Sequence, residues 1–211
     1  MTEQPKAGRP VTNCPKELLD RLIQAANDIL QEQAADADFS VSELAQRARI
    51  SKRTVYTVVA SKEELITHLI RRGIQVATTR LETPVANVAD ARDVLACFLR
   101  EWVAFASGPQ AVGIYVMAIR ERSRYPAIGA AYYRAREEQG KQHLAAWIGR
   151  MQDKRYVAAG DPALLADLAL IMAAAERQRN LALGLDAQIT PEQTERRIDA
   201  ILQFVFRQAP A

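Results

Sequence analysis

The 211-residue chain is poor in the side chains that most chemistry needs. It has two histidines and two cysteines. His68 and His143 fall on different expected helices, which argues against a histidine-rich catalytic metal site. Cys14 and Cys97 are too few and too far apart for a disulfide framework or a zinc site. They are expected to be free, buried thiols in a reducing cytoplasm. The sequence also lacks a G-x-S-x-G elbow, a G-x-x-x-x-G-K-[ST] loop and an H-E-x-x-H pair. Glu137 and Glu138 are adjacent, so on a helix they point ~100° apart and form no acid/base couple. No enzyme activity, metal or cofactor is expected, and a small all-helical enzyme is the weaker alternative. The N-terminus has no apolar core of a secretory signal. No apolar run approaches the ~20 residues that span a bilayer, so a cytoplasmic protein without a membrane partner is expected.

Hydrophobic residues make up 49% of the chain, and the formal charge of +3 permits an anionic partner without demanding one. Local clustering says more than the total. Residues 40–62 read S-V-S-E-L-A-Q-R-A-R-I-S-K-R-T-V-Y-T-V-V-A-S-K. The spacing predicts two short amphipathic helices joined by a tight turn. Ser40 and Glu43 fit a capping box. Val41, Leu44, Ala45 and Ala48 then share one face, and Ile50 plugs the turn. Ser51 caps the second helix, whose Val55 and Val59 face inward with Val58 beside them. Lys52, Arg53, Thr54 and Tyr56 cluster near its N-terminal half, the half that enters the major groove in helix-turn-helix proteins. Ser61 and Glu64 repeat the capping-box spacing and start a third helix, with Lys62 in its first turn. Arg47, Arg49, Lys52, Arg53 and Lys62 are the segment's basic residues, against one acid, Glu43. Spacing alone leaves two readings open: a DNA-binding helix pair, or surface helices with a solvated basic edge.

Residues 44–65, L-A-Q-R-A-R-I-S-K-R-T-V-Y-T-V-V-A-S-K-E-E-L, resemble the signature of TetR/AcrR-family transcriptional regulators, roughly I-A-x-x-A-G-V-S-x-x-T-L-Y-x-x-F-x-S-K-E-x-L. Ala45, Ala48, Ser51, Thr54, Tyr56, Ser61, Lys62, Glu63 and Leu65 match it in register. Residues 22–30 resemble the family's first helix. The resemblance implies an all-α protein: a flexible basic arm (residues 1–14), a three-helix helix-turn-helix DNA-binding domain (15–61) and a helical ligand-binding and dimerisation bundle (62–211). It implies a homodimeric repressor on a palindromic double-stranded operator, released by a small molecule. A regulator switched by a protein partner, or unswitched, is the alternative. By the same resemblance, Tyr56, Lys62 and Ser40 contact phosphates, while Lys52, Arg53 and Thr54 reach base edges. Lys6 to Pro10, K-A-G-R-P, resembles a short arm whose Arg9 enters the minor groove; a disordered solubilising tail is the alternative.

The chain departs from the signature at several positions. Arg49 stands where the turn glycine is usual, so either the turn is reshaped or Arg49 tolerates positive φ and adds a phosphate contact. Val59 replaces an aromatic plug, and Val58 offers DNA no polar group. The sequence A-A-D-A-D at 34–38 replaces the glycine that closes the first helix.

Beyond residue 62 the pattern predicts helices at about 62–82, 88–107, 109–123, 126–153, 161–183 and 191–208. Pro15, Pro84, Pro109, Pro126, Pro162 and Pro191 punctuate them, and Asp161 and Thr190 are good N-caps. Leu165, Leu168 and Met172, with Ile198, Ile201, Leu202, Val205 and Phe206, read as a two-helix dimer surface or, in part, as the subunit's own core. Trp102, Phe105, Tyr115, Met117, Tyr132, Tyr133 and Trp147, with Arg120, Glu121 and His143 nearby in sequence, read as a pocket for an apolar or aromatic ligand or as core filling. Residues 119–126, I-R-E-R-S-R-Y-P, loosely resemble the AefR-type C-terminal domain of part of the family.

Overall fold

A computed structural model describes residues 14–33, 39–123, 126–185 and 190–206. Arg9 and its arm, the 34–38 segment and the last two residues of the expected 191–208 helix lie outside them. The described residues are helical, with no strand. The elements are α1 (Pro15–Gln33), α2 (Val41–Arg47), α3 (Lys52–Val58), α4 (Lys62–Thr79), α5 (Val88–Ala106), α6 (Pro109–Arg120), α7 (Pro126–Arg136), α8 (Gln142–Asp153), α9 (Pro162–Leu170), α10 (Glu176–Ala182) and α11 (Pro191–Val205). A π-turn, Glu137–Lys141, joins α7 to α8, and another, Ile171–Ala175, joins α9 to α10.

Local chemistry sets these boundaries. The hydroxyls of Ser40, Ser51 and Ser61 each accept an amide three residues on, at 3.0–3.2 Å. Glu64 reaches back to the Ala60 amide at 2.6 Å, one residue earlier than a capping box requires. Asp161 caps α9, and Thr190 and Gln193 form a reciprocal box before α11. Asn87 supplies an unforeseen cap for α5.

Helix α1 is the spine of the N-terminal head. Leu22, Ala26, Ile29 and Leu30 are buried against α2, α3 and α4, together with Leu44, Val55, Val59 and Leu65. Three polar links add to that packing. The Arg47 guanidinium grips Glu32 at 2.5 and 2.6 Å, which lowers the Glu32 pKa and withdraws Arg47 from the basic face. Arg72 of α4 pairs with Asp20, and Arg21 donates to the carbonyls of Ala48 and Arg49.

The buried core runs without interruption from this head into the body. Helix α4 passes between them and packs along α7 and α5. Its far end is fastened from α8 and the turn beyond it: Arg150 donates to Leu81 O at 3.1 Å, Lys154 to Val85 O at 2.7 Å and Tyr156 to Ala86 O at 2.7 Å. Arg80 also pairs with Glu101 at 2.6 Å. Helix α11 closes the body on α5, where Arg100 holds Glu195 through two bonds of 2.7 Å.

Two expectations are corrected. Ile198, Ile201, Leu202, Val205 and Phe206 are all at most 8% exposed and face α5 and α9, so the α11 stripe is intrachain core. Both cysteines are exposed rather than buried.

The turn at Arg49 keeps the geometry of its glycine-bearing counterpart: Arg49 has φ +53°. Arg49 N donates to Gln46 O at 3.1 Å, and Ile50 N to Ala45 O at 2.9 Å. This is the paired closure of a Schellman motif. Arg155, φ +60°, closes α8 in the same way, and Gly184, φ +72°, closes α10. A left-handed non-glycine residue costs ~1–2 kcal/mol, and glycine returns ~0.5–1 kcal/mol of that as unfolded-chain entropy. Arg49→Gly and Arg155→Gly should therefore each raise stability by roughly 0.5–1 kcal/mol, read as a shift in urea midpoint with unchanged slope.

Candidate functional site

The head presents a cationic surface at α3. Arg49, Lys52 and Arg53 are exposed, and no described carboxylate pairs with them. Thr54 is half-buried; its hydroxyl lies 2.8 Å from that of Ser51, and Ser51 and Ser40 are exposed beside their caps. Tyr56 is 60% exposed, which rules out a role as packing between helices within this chain. Lys62 sits half-buried at the start of α4, its ammonium 5.0 Å above the Phe39 ring. Val58 is half-buried and Val59 fully buried. Ser40, Tyr56 and Lys62 line one groove of the head; Arg49, Ser51, Lys52, Arg53 and Thr54 follow one another along the turn and α3, and Arg47 is diverted to Glu32.

The body holds an open-sided cavity of about 230 Å³. Each wall is a helical repeat: Ile70 and Ile74 from α4, Trp102, Phe105 and Ala106 from α5, Ala111 and Tyr115 from α6, and Tyr132 and Arg136 from α7. Leu170, Ile171, Ala174, Ala175 and Gln178 complete it from the helix that bends through the second π-turn. Tyr115 and Tyr132 lie 5.8 Å apart between ring centres, and Trp102 and Phe105 lie 6.3 Å apart. The Tyr132 hydroxyl makes a long 3.4 Å bond to Gln178 Oε1. Burial raises the Tyr132 pKa, so the phenol stays protonated.

Of the expected pocket residues, Trp102, Phe105, Tyr115 and Tyr132 line this cavity. Met117 and Trp147 are buried but fill the core away from it, while Tyr133, Arg120 and His143 lie on the surface. Tyr132 lines it and Tyr133 does not, because one step along a helix turns a side chain by ~100°. Arg136 was missed, although its i, i+4 spacing from Tyr132 places it on the same face. Gln178 comes from a distant helix and leaves no local signal. Among the described residues no His/Cys/Asp/Glu group is arranged to hold a metal, and no single helix is long and apolar enough to cross a membrane.

On the expected dimer surface, Leu168 is exposed and Leu165 and Met172 are half-buried. The outward apolar pair on this helix is Leu164 and Leu168, at 54% and 37% exposure.

A helix-turn-helix head on an all-helical body that holds a ligand-sized cavity defines a class of transcriptional regulators. Residues 93–208, more than half of the chain, match the family of AefR-like transcriptional repressor C-terminal domains. The chain belongs to the TetR family of transcriptional regulators and carries an AefR-like C-terminal domain. Solved structures agree in fold. A TetR-family regulator from Mesorhizobium loti superimposes with a TM-score of 0.71 at 21% identity, covering 91% of this chain and 96% of that one. The flavonoid-responsive regulator FrrA gives 0.66 at 26% identity, covering 93% and 100%. RolR in complex with resorcinol gives 0.62 at 16% identity, covering 90% and 88%. No curated protein matches the sequence.

One contact joins the cavity to the head. A methyl group at Gly73 of α4 would overlap the Phe105 ring, so ring and helix backbone are in direct contact. Overpacking costs ~1–3 kcal/mol, against the ~1 kcal/mol that alanine gains over glycine in a helix. Gly73→Ala should lower stability by up to ~2 kcal/mol. Adding Phe105→Leu should recover part of the loss, with a coupling energy of roughly 0.5–3 kcal/mol in a double-mutant cycle.

Proposed function

We propose that the protein is a homodimeric repressor that binds a palindromic operator and leaves it when a small molecule fills the body cavity. The carrying observation is that α4 serves both regions: Lys62 at its start lines the head groove with Ser40 and Tyr56, while Ile70 and Ile74 are cavity wall. In this reading residues 15–61 read DNA and residues 62–211 bind ligand and pair the subunits. Tyr56, Lys62 and Ser40 grip phosphates and fix the register. Lys52, Arg53 and Thr54 address base edges, where a bidentate arginine–guanine contact discriminates by ~1–3 kcal/mol. Arg49 extends a guanidinium from the turn toward the same backbone.

Dimerisation follows from the reading geometry. One helix-turn-helix reads one half-site, and two-fold pairing sets two recognition helices ~34–36 Å apart, one DNA turn. The outward residues Leu164 and Leu168 of α9 support that pairing. The ligand acts only through differential affinity for two arrangements of the body. Phe105 is both cavity wall and the ring against Gly73, so occupancy that moves this ring moves α4 and with it the head. The names of FrrA and RolR associate those proteins with a flavonoid and resorcinol, which supports an aromatic ligand here as well.

Binding of the dimer to duplex DNA from its own upstream region, titrated against salt, tests the reading. Arg53→Ala should reduce discrimination between operator and scrambled DNA. Lys62→Ala should weaken both similarly and flatten the salt slope by about one phosphate contact. Absence of binding even at low salt would overturn the proposal, and operator binding insensitive to every small molecule would favour control by a protein partner. Leu168→Arg should shift the sedimenting species from dimer to monomer and weaken operator binding at least tenfold, with the monomer remaining folded by circular dichroism.

A further inference from the structure

The cavity has one charged side chain in its wall, Arg136. No carboxylate lines it, and no described carboxylate pairs with Arg136. The guanidinium is half-buried beside Tyr132, Tyr115 and Gln178, so it sits at the polar end of an otherwise aromatic and aliphatic chamber. A half-buried cation that no described carboxylate neutralises favours a ligand that brings a negative charge. Arginine presents two parallel N–H groups that match a carboxylate. Gln178 uses its carbonyl on Tyr132, which leaves its two amide hydrogens to donate. The rest of the lining is apolar: Trp102 and Phe105 contribute rings, and Ile70 and Ile74 aliphatic side chains.

Size narrows the class. A closed apolar cavity of ~150 Å³ accommodates benzene. The ~230 Å³ here, open on one side, has room for one ring with a carboxylate.

The backbone around the polar end is specialised. Arg136 is the last residue before the first π-turn, within which Gly140 packs on Trp102; a Cβ there would lie 2.7 Å from the indole. The second π-turn supplies Ile171, Ala174 and Ala175 directly to the wall. Single π-turns inside α-helices concentrate at functional sites. Both π-turns of the described chain border this chamber.

We infer that the ligand of this cavity is a small monocyclic aromatic carboxylate, its acid group held by Arg136 with Gln178 donating beside it and its ring between Trp102, Phe105 and Tyr132. The inference rests on the reading of the cavity as the effector site of the regulator.

Calorimetric titration of the full-length dimer with 4-hydroxybenzoate and with 4-hydroxybenzyl alcohol, at neutral pH, tests it. The acid should bind at least tenfold more tightly than the alcohol. Arg136→Gln should bring the two to parity while leaving alcohol binding in place, which also reports that the chamber has kept its shape. Arg136→Lys should retain part of the preference. Equal affinities in the unmodified protein, a preference that survives Arg136→Gln, or no binding of either compound would overturn the inference. Operator binding, followed separately, keeps the two proposals apart. A protein that binds its operator and releases it only with the neutral alcohol is a regulator with a different ligand class. A protein that binds the acid through Arg136 but never binds DNA retains the ligand and loses the regulatory role.

Discussion

The structure depends on α4 being buried from two sides. Leu65, Ile66, Leu69, Ile70, Ile74 and Ala77 are covered first by the head and then by α5 and α7. A helix of this length exposes too little polar surface on those faces to detach without a large hydrophobic penalty; each buried aliphatic side chain represents ~1.5–3 kcal/mol. The apolar core is therefore continuous across what the sequence suggests are two domains. The head is held to the body by this helix and by α1, which packs directly on α6.

The head is rigid for a related reason. Its packing is reinforced by three links from α1: Glu32 to α2, Arg21 to the turn and Asp20 to α4. These pairs are partly exposed, and their individual contributions are small. Their effect is geometric, since each fixes one neighbour of α1. The turn between α2 and α3 illustrates how a sequence rule can be broken without breaking the structure. Arg49 holds the left-handed conformation that glycine would hold more easily, and Arg21 clamps the carbonyls on either side of the strained bond. Arg155 repeats the exception at the end of α8, far from the cationic surface, so a positive-φ arginine is tolerated here by the motif as such.

What was legible in the sequence followed from distance along the chain. The helix-turn-helix is written in 22 consecutive residues whose caps, apolar spacing and turn all act locally, and these features appear in the structure at the predicted positions. Helix starts at Pro109, Pro126, Pro162 and Pro191 are equally local. The cavity is assembled from six helices, so sequence density of aromatics identified Trp102, Phe105 and Tyr115 but could not separate Tyr132 from Tyr133 and found no reason to choose Gln178. The α11 stripe failed for a different reason. Periodicity reports that Ile198, Ile201 and Val205 are buried but not by which chain, and α5 and α9 take that face. The weaker pair on α9, Leu164 and Leu168, is left outward instead.

The fastening of the far end of α4 has a mechanical consequence. With Leu81, Val85 and Ala86 tied to α8 and the turn after it, and Arg80 tied to Glu101, that end is a fulcrum. Gly73, where Phe105 bears on the helix, lies about 10 Å from Arg80 at 1.5 Å per residue, and Lys62 lies about 27 Å from it. A rigid rod of those proportions enlarges a displacement between two- and threefold. A sub-ångström adjustment of one aromatic ring would thus emerge at the Lys62 end as one to two ångströms. The amplification needs no hinge within α4; it follows from where the helix is pinned and where it is pushed.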